Sequence, residues 1–385
     1  MKAVIVLSGV PMALGYAVVV PVLARMSSAL AHGATDEYLV KMVFGVLGPA
    51  MVVGGAAGGY LADKLDRRLL LTVCGLVFAA AGAAPFVLHS LPLILVSRFL
   101  MGMAAVAMAL IGSALVGDLF EDRRRAAWLG AIAALQMVGS TLSLPIAGAV
   151  GDVGWNYPFL IYLIGVPIAA LAWLGVPRRP ATADAARPAA PNAEGATAGA
   201  YPVGLILLGL IVGALITTPG AYMPFRLSQL GLENTTVVGI LLMLNALSGA
   251  GAAALYGTTR RGLSTRVLFC CGFAALGAGL GVLGFASNLV VATAGLLVMG
   301  AGLGWLTPNL PAAVVAAVDE SHRGRALGAM NAAAAIAPAI GLTALEPLAH
   351  RIGVDGVLIL TAALSGVMCL ATAIPRKLTP RNRNG

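Results

Sequence analysis

The chain has 385 residues, 59% of them hydrophobic and only 10% charged, with a mean hydropathy of +0.94 and a formal net charge of +9. A soluble domain carries about 25% charged residues, so this composition argues against an aqueous enzyme, a nucleic-acid-binding module or a disordered scaffold. Forty-nine glycines beside abundant Ala, Leu and Val suit membrane helices, whose backbones approach one another through small residues.

A helix needs roughly 20 apolar residues to cross a hydrocarbon core of about 30 Å. Twelve segments meet that length, at about 3–25, 40–62, 69–88, 92–117, 126–150, 156–176, 202–224, 236–257, 266–286, 289–316, 326–346 and 354–375. The expected fold is therefore an all-α polytopic membrane protein. The first segment is too long for the apolar region of a signal peptide and lacks a small-residue cleavage site, so it is expected to be retained. Prolines fall inside several spans, among them Pro11 and Pro21 in the first, Pro145 in the fifth, Pro308 and Pro311 in the tenth and Pro338 in the eleventh. Membrane bundles tolerate such residues, and each marks a candidate kink.

The basic residues alternate in density from loop to loop. With the N-terminus inside, the inner segments hold 19 of the 24: Lys2 and the clusters Lys64–Arg68, Arg123–Arg125, Arg178–Arg187, Arg260–Arg266, Arg323–Arg325 and Arg376–Arg383. The outer loops hold Arg25, Lys41, Arg226 and Arg351, and Arg98 lies within the fourth span. This bias places both termini in the cytoplasm, with the chain in the cell (inner) membrane. It also reads the positive charge as a topology signal, directed at most towards anionic lipid headgroups and not towards nucleic acid. The four cysteines lie within spans, and the four histidines lack metal-ligand spacing. No disulfide, metal site, cofactor or catalytic constellation is expected, and the chain does not read as an enzyme.

Residues 177–200, VPRRPATADAARPAAPNAEGATAG, are too polar and Pro/Ala-rich to bury a core and read as a cytoplasmic connector. They separate a bundle at 1–176 from one at 201–376, followed by a basic tail at 377–385. The loops after the fourth and tenth spans carry a faint repeat. Glu121-Asp122-Arg123-Arg124-Arg125 through Leu129-Gly130-Ala131 matches Asp319-Glu320-Ser321-His322-Arg323 through Leu327-Gly328-Ala329 at an offset of 198. Parallel six-helix repeats of this kind build one large transporter class.

The loop after the second span reads Gly58-Gly59-Tyr60-Leu61-Ala62-Asp63-Lys64-Leu65-Asp66-Arg67-Arg68. It resembles the signature loop of the major facilitator superfamily, Gly-x-Leu-Ala-Asp-Arg-x-Gly-Arg-Arg/Lys, with Asp66 departing from the usual glycine. Arg98 and Gly102 look like the family's Arg-x-x-x-Gly element. The resemblance covers essentially the whole chain and implies two pseudo-symmetric six-helix bundles working by alternating access. It implies a cytoplasmic gate of Gly59, Asp63, Arg67, Arg68 and Asp118, in which Asp63 meets the eleventh helix N-terminus and Arg67 pairs with Asp118. A solvated loop that only sets topology is the alternative. Aligned on Cys-Gly at an offset of 197, the second half places Arg260 opposite Asp63, so the latch is expected to be asymmetric.

Arg98, the intramembrane charge, is expected to face a cavity or partner, because such a charge costs about 2.5–3.5 kcal/mol on insertion scales. Snorkelling to the interface is the alternative. The fifth span keeps part of an exporter pattern in Gly130, Gly139, Pro145 and Ala147-Gly148, with Ser143-Leu144 in place of Gly-Pro. The resemblance thus points to bacterial drug or sugar efflux permeases, and to a multidrug-type antiporter exporting a small neutral or amphiphilic compound. Uptake by a symporter or facilitator, and a non-transporting sensor, remain alternatives. Cavity candidates are Tyr16, Gln136, Thr217, Thr218, Tyr222, Asn245, Trp305, Thr307 and Asn309, each equally able to bond only between helices. The acids all fall in loops or at span ends, so proton coupling rests on Asp118 or Glu346. The partners expected are a small-molecule substrate, protons if coupled, and membrane lipids, with the chain acting as a monomer.

Overall fold

The computed structural model describes residues 2–177, 203–318 and 322–373, and all regular structure among them is helical. Ten spans run Ala3–Leu30 (α1), Ala34–Ala62 (α2), Arg67–Phe86 (α3), Leu91–Asp118 (α4), Arg124–Gly151 (α5), Tyr157–Gly175 (α6), Gly209–Gln229 (α7), Thr235–Gly262 (α8), Thr265–Gly284 (α9) and Leu289–Ala316 (α10). An eleventh helix, Arg323–Ala373, has 51 residues. Gly353 inside it adopts φ 77° and ψ 173°, a region open to glycine and strained for other residues. It divides the helix into 323–352 (α11) and 354–373 (α12), which brings the count to the twelve expected.

Two boundaries differ from expectation with consequences for chemistry. The second helix begins at Ala34 and not near 40, so Lys41 lies two turns inside it, buried at 3% exposure. The eleventh continues past 346, so Glu346 sits within a helix, at 5% exposure. Lys41 thus joins Arg98 and Arg67 among the buried basic residues, and Glu346 is no span-end acid. Both corrections have one cause. A charge depresses the local hydropathy, so a buried ion pair near a helix end looks like the start of a loop.

By contact density the chain forms two compact units, Met1–Met243 with Gly324–Arg351, and Leu244–Arg323 with Ile352–Gly385. The connector beyond Pro177 and the basic tail lie outside the described residues.

In the first unit α1 is broken as its prolines require. Helix runs over Lys2–Leu7 and Val10–Ala17, a 3-10 turn covers Val20–Val22, and helix resumes at Leu23–Leu30. Two close approaches join helices encoded before the connector to helices encoded after it. A Cβ at Gly48 of α2 would overlap the Ala335 carbonyl of α11, and one at Gly148 of α5 would overlap the Thr235 carbonyl of α8. In the second unit α9, α10 and α12 pack through Gly272, Gly279, Gly302 and Gly277, and the Cys270 and Cys369 sulfurs lie 2.7 Å apart.

The repeat reaches beyond the loops in which it is legible. The α3 helix begins at Arg67 after its cap Asp66, and α9 begins at Thr265 after its cap Ser264. The fourth and tenth helices run Leu91–Leu119 and Leu289–Ala317, 29 residues each. Every one of these pairs is separated by 198 positions. The end of each helix is closed alike: Arg125 donates to the Gly117 carbonyl at 2.8 Å and Arg323 to the Val315 carbonyl at 3.2 Å, satisfying a C-terminal carbonyl with a cation. The register is therefore 198 and not 197, and Arg261 stands opposite Asp63. Asp66 is also explained. Its φ of −60° needs no glycine, and its carboxylate accepts the Arg68 N–H at 3.0 Å to start α3.

Candidate functional site

At the end of the first unit that carries the turns after α2 and α4, Arg67 begins α3 and Asp118 ends α4. Their side chains form an ion pair, with Arg67 buried and Asp118 22% exposed. Arg68 lies with its guanidinium 4.3 Å above the Trp173 ring of α6, and its Nε has no hydrogen-bond partner among the described residues. A Cβ at Gly59 would meet open space. The Asp63 side chain lies outside the described residues. This end can therefore hold α3 to α4 by charge and α3 to α6 by cation–π stacking.

Arg98 of α4 is completely buried and does not reach the interface. It donates to the Gly15 carbonyl at 2.6 Å, touches the Met101 sulfur at 3.1 Å, and lies 4.9 Å from the Tyr162 ring centroid and 5.7 Å from that of Phe159. The Tyr162 hydroxyl also lies 3.3 Å from the carbonyls of Leu14 and Gly15. These groups gather on α1 one turn before its 3-10 break, where Pro21 offers no N–H.

The expected cavity residues are mostly committed to helix–helix bonds. The Tyr16 ring packs 5.0 Å from that of Phe44, Gln136 donates to the Gly9 carbonyl at 3.1 Å and Thr217 to Gly213 at 2.6 Å. The Thr218 side chain lies outside the described residues. In the second unit Asn245 donates to Leu296 at 2.7 Å, Thr307 bonds within its own helix, and Asn309 accepts from Tyr256 at 2.9 Å while donating to Thr265 at 3.0 Å. The Trp305 Nε1 donor is buried and unpaired among the described residues.

The opposite end of the first unit carries two carboxylate clusters. Glu346 of α11 accepts from Lys41 Nζ of α2 at 2.7 Å and from the Tyr222 hydroxyl of α7 at 3.0 Å. Its neighbour one turn on, His350, is 3.7 Å away, and Tyr38 bonds Thr343 at 2.9 Å beside it. Lys41 also faces the Tyr222 and Phe225 rings at 5.0 and 5.6 Å. Asp152, just past α5, caps α8: it accepts from the N–H and hydroxyl of Thr235, both at 2.7 Å, and from the N–H and hydroxyl of Thr236. Arg25 stands 3.6 Å from it. Burial alone would raise the Asp152 pKa, but the Thr236 and Thr235 hydrogen bonds outweigh it and hold the carboxyl below its ordinary value.

Each cluster ties a helix encoded before the connector to one encoded after it. Sequence reasoning placed Lys41 in an outer loop and Glu346 at an outer span end, and gave Tyr222 to the cavity. The signal it passed over is the apolar pattern that continues beyond each charge, from Val40 to Phe44 and from Leu345 to Ala349.

A family model described as Major Facilitator Superfamily matches residues 5–279 and 257–385. Among curated proteins, the chain is 31% identical over 169 residues to the bacillibactin exporter of Bacillus subtilis, 41% of each chain. It is 27% identical over 147 residues to the quinolone resistance protein NorA of Staphylococcus aureus, covering 38% of this chain and 37% of that one. The chain thus spans less than half the length of the curated relatives it matches. Among solved structures, nucleoside transporter NupG superposes with a TM-score of 0.79 at 14% identity, over 96% of this chain and 98% of that one. The xylose transporter XylE from E. coli, inward open, gives 0.73 at 16% identity, over 96% and 94%. At such identities these two speak for the fold alone.

Proposed function

This chain belongs to the major facilitator superfamily, and from that premise we propose that it exports a small neutral or amphiphilic compound by alternating access. It is a multi-pass membrane transporter and not an enzyme. The two bundles of the rocking movement are 1–176 and 201–376, joined by the connector at 177–200. The arginine-rich turns face the cytoplasm, with both termini inside, because 19 of the 24 basic residues then lie on the retained side.

One observation carries the reading. The end of the first unit away from the arginine-rich turns is closed by helices from both sides of the connector, α2 on α11 and α5 on α8, each contact bridged by a carboxylate. Alternating access needs such a closure on one side at a time, with cargo held near mid-depth. The cytoplasmic counterpart is the group of Gly59, Asp63, Arg67, Arg68 and Asp118. Its Arg67–Asp118 pair is in place, and the second repeat holds Thr265 and Ala316 at the corresponding positions, which favours a latch on one side of the pseudo-symmetry only.

Export is supported by the relatives named as an exporter and a resistance protein. A neutral cargo is supported by the polar residues expected at mid-depth in each unit, which are hydroxyls, amides and aromatics: Tyr16 and Thr217 in the first, Asn245, Trp305 and Asn309 in the second. A multiply charged anion would want buried basic partners beyond Arg98, Lys41 and Arg67, which are already bonded to α1, Glu346 and Asp118. The working unit is a monomer in contact with anionic inner-leaflet lipids. Its proton carrier, where export is proton-driven, is Asp118 or Glu346.

Counterflow in proteoliposomes tests this directly. A labelled neutral amphiphile is expected to exchange across the bilayer and a multiply charged anion is not. Preferred exchange of the anion overturns the cargo assignment, and absence of any counterflow favours a sensor. With a pH gradient imposed, an uncoupler abolishes uphill movement in a proton antiporter and leaves a facilitator unaffected.

A further inference from the structure

We propose that Glu346 is the proton-binding group of the outer gate: ionised, it locks α2, α7 and α11 together through Lys41 and Tyr222, and protonated, it releases them. The inference rests on the orientation and alternating-access reading above; it selects Glu346 from that reading's two proton carriers and adds its partners and the direction of the response.

The lock is built from three helices. The Glu346 and Lys41 side chains are 7% and 4% exposed. Tyr222 spends its hydroxyl proton on the second carboxylate oxygen, and its ring flanks the Lys41 ammonium. A buried ion pair gives little net stability, but breaking it by removing one charge is strongly unfavourable, because the other is left uncompensated. A proton on Glu346 does this chemically. It cancels the carboxylate charge and leaves Lys41 as a buried ammonium, whose cheapest remedy is water. Opening α2 away from α11 supplies that water.

Glu346 lines a recess of about 440 Å³ that is open at the protein surface, together with Tyr38, Thr343, Pro347 and His350 among others. The ionisable groups around Glu346 are few. From α2 come Lys41 and, through Thr343, Tyr38, while Asp36 in the first turn is engaged with the His32 N–H. From α7 comes Tyr222, and Arg226 one turn on contacts Gln229. On α11 itself His350 stands 3.7 Å away, with Arg351 exposed beyond it. Asp152 is unlike Glu346 in being bonded by the N–H groups and hydroxyls of Thr235 and Thr236 at a helix N-terminus, with the partly exposed Arg25 at 3.6 Å.

The test needs no cargo. Spin labels on E37C and R351C, at exposed positions of α2 and α11, in the full chain with Cys74, Cys270, Cys271 and Cys369 replaced by serine, report the outer gap by pulsed dipolar spectroscopy. The open fraction of the otherwise native protein should rise between pH 8 and pH 5, by up to about tenfold per pH unit, the limit for one linked proton. E346Q, which strands Lys41 at every pH, should be open at pH 8 and unresponsive to acid. Adding K41M removes the stranded charge, and the double variant should close again at both pH values. A native gap that ignores pH, or an E346Q gap that stays closed or still responds, overturns the lock. A responsive gap in a protein that exchanges no cargo would overturn the transport reading and leave the lock standing. Cargo exchange with a gap blind to pH would do the reverse.

Discussion

Arg98 is held without a carboxylate: among the described residues its partners are one carbonyl, one sulfur and two aromatic faces. The Gly15 carbonyl accepts from the guanidinium, and the rings of Tyr162 and Phe159 flank it. Its position beside the break in α1 makes it a fastening for that helix. R98A should therefore lower the thermal midpoint of the purified protein by several degrees, corresponding to roughly 2–4 kcal/mol for a cavity plus a lost charge-assisted bond. R98M fills the volume without the charge and should lose less than half as much. Equal losses in the two variants would show that packing volume plays no part. That Arg98 lies in the membrane is plain from the sequence, and its partners are not, because Gly15 is 83 positions away and contributes only a backbone carbonyl. Lys41 and Glu346, 305 positions apart, show the same limit in a stronger form: neither charge makes sense in a span until the other is seen beside it.

Helices carry their information at their ends. The caps Asp66 and Ser264, the equal lengths of α4 and α10, and the closures by Arg125 and Arg323 all fall in one register of 198. The loop repeat made that register legible, while the Cys-Gly match misled by one residue because it sits in mid-helix, where nothing pins the phase. The start of α8 is capped twice: locally by Asn234, which accepts the Val237 N–H at 2.9 Å, and from the neighbouring helix by Asp152, which no local S/T/D/N-x-x-E pattern announces. A carboxyl whose pKa is lowered on folding stabilises above its unfolded value, and that contribution is lost only as pH falls through the lowered one. Since Asp152 is held below its ordinary value, its clamp on α8 should be unchanged from pH 8 to pH 5. Hydrogen exchange at the amides of Thr235 and Thr236, corrected for the intrinsic rate, should show equal protection at both pH values and a clear loss in D152N. Protection that falls away by pH 5 in the native protein would mean that these four bonds do not keep the carboxyl ionised.

Across the whole molecule the scarcity of charge has become specific. Most basic residues gather in alternate loops, and the few charges held in or between helices sit where they can fasten something: Arg67 with Asp118, Arg98 on α1, Lys41 with Glu346, Arg25 with Asp152. The twelve spans, the family signature and the six-plus-six repeat were legible because each is a periodic or contiguous pattern. The partners of the cavity residues were not, since a hydroxyl or amide that bonds a neighbouring helix and one that awaits a ligand look alike in one dimension. The central claim is that the α2–α11 contact opens and closes once in each transport cycle. A short bis-maleimide joining Y38C of α2 to T343C of α11, in the cysteine-free background, holds that contact shut. Counterflow of a neutral amphiphile should stop on cross-linking and should persist when only one of the two cysteines is present. Transport that continues at its original rate through the joined protein would contradict the account.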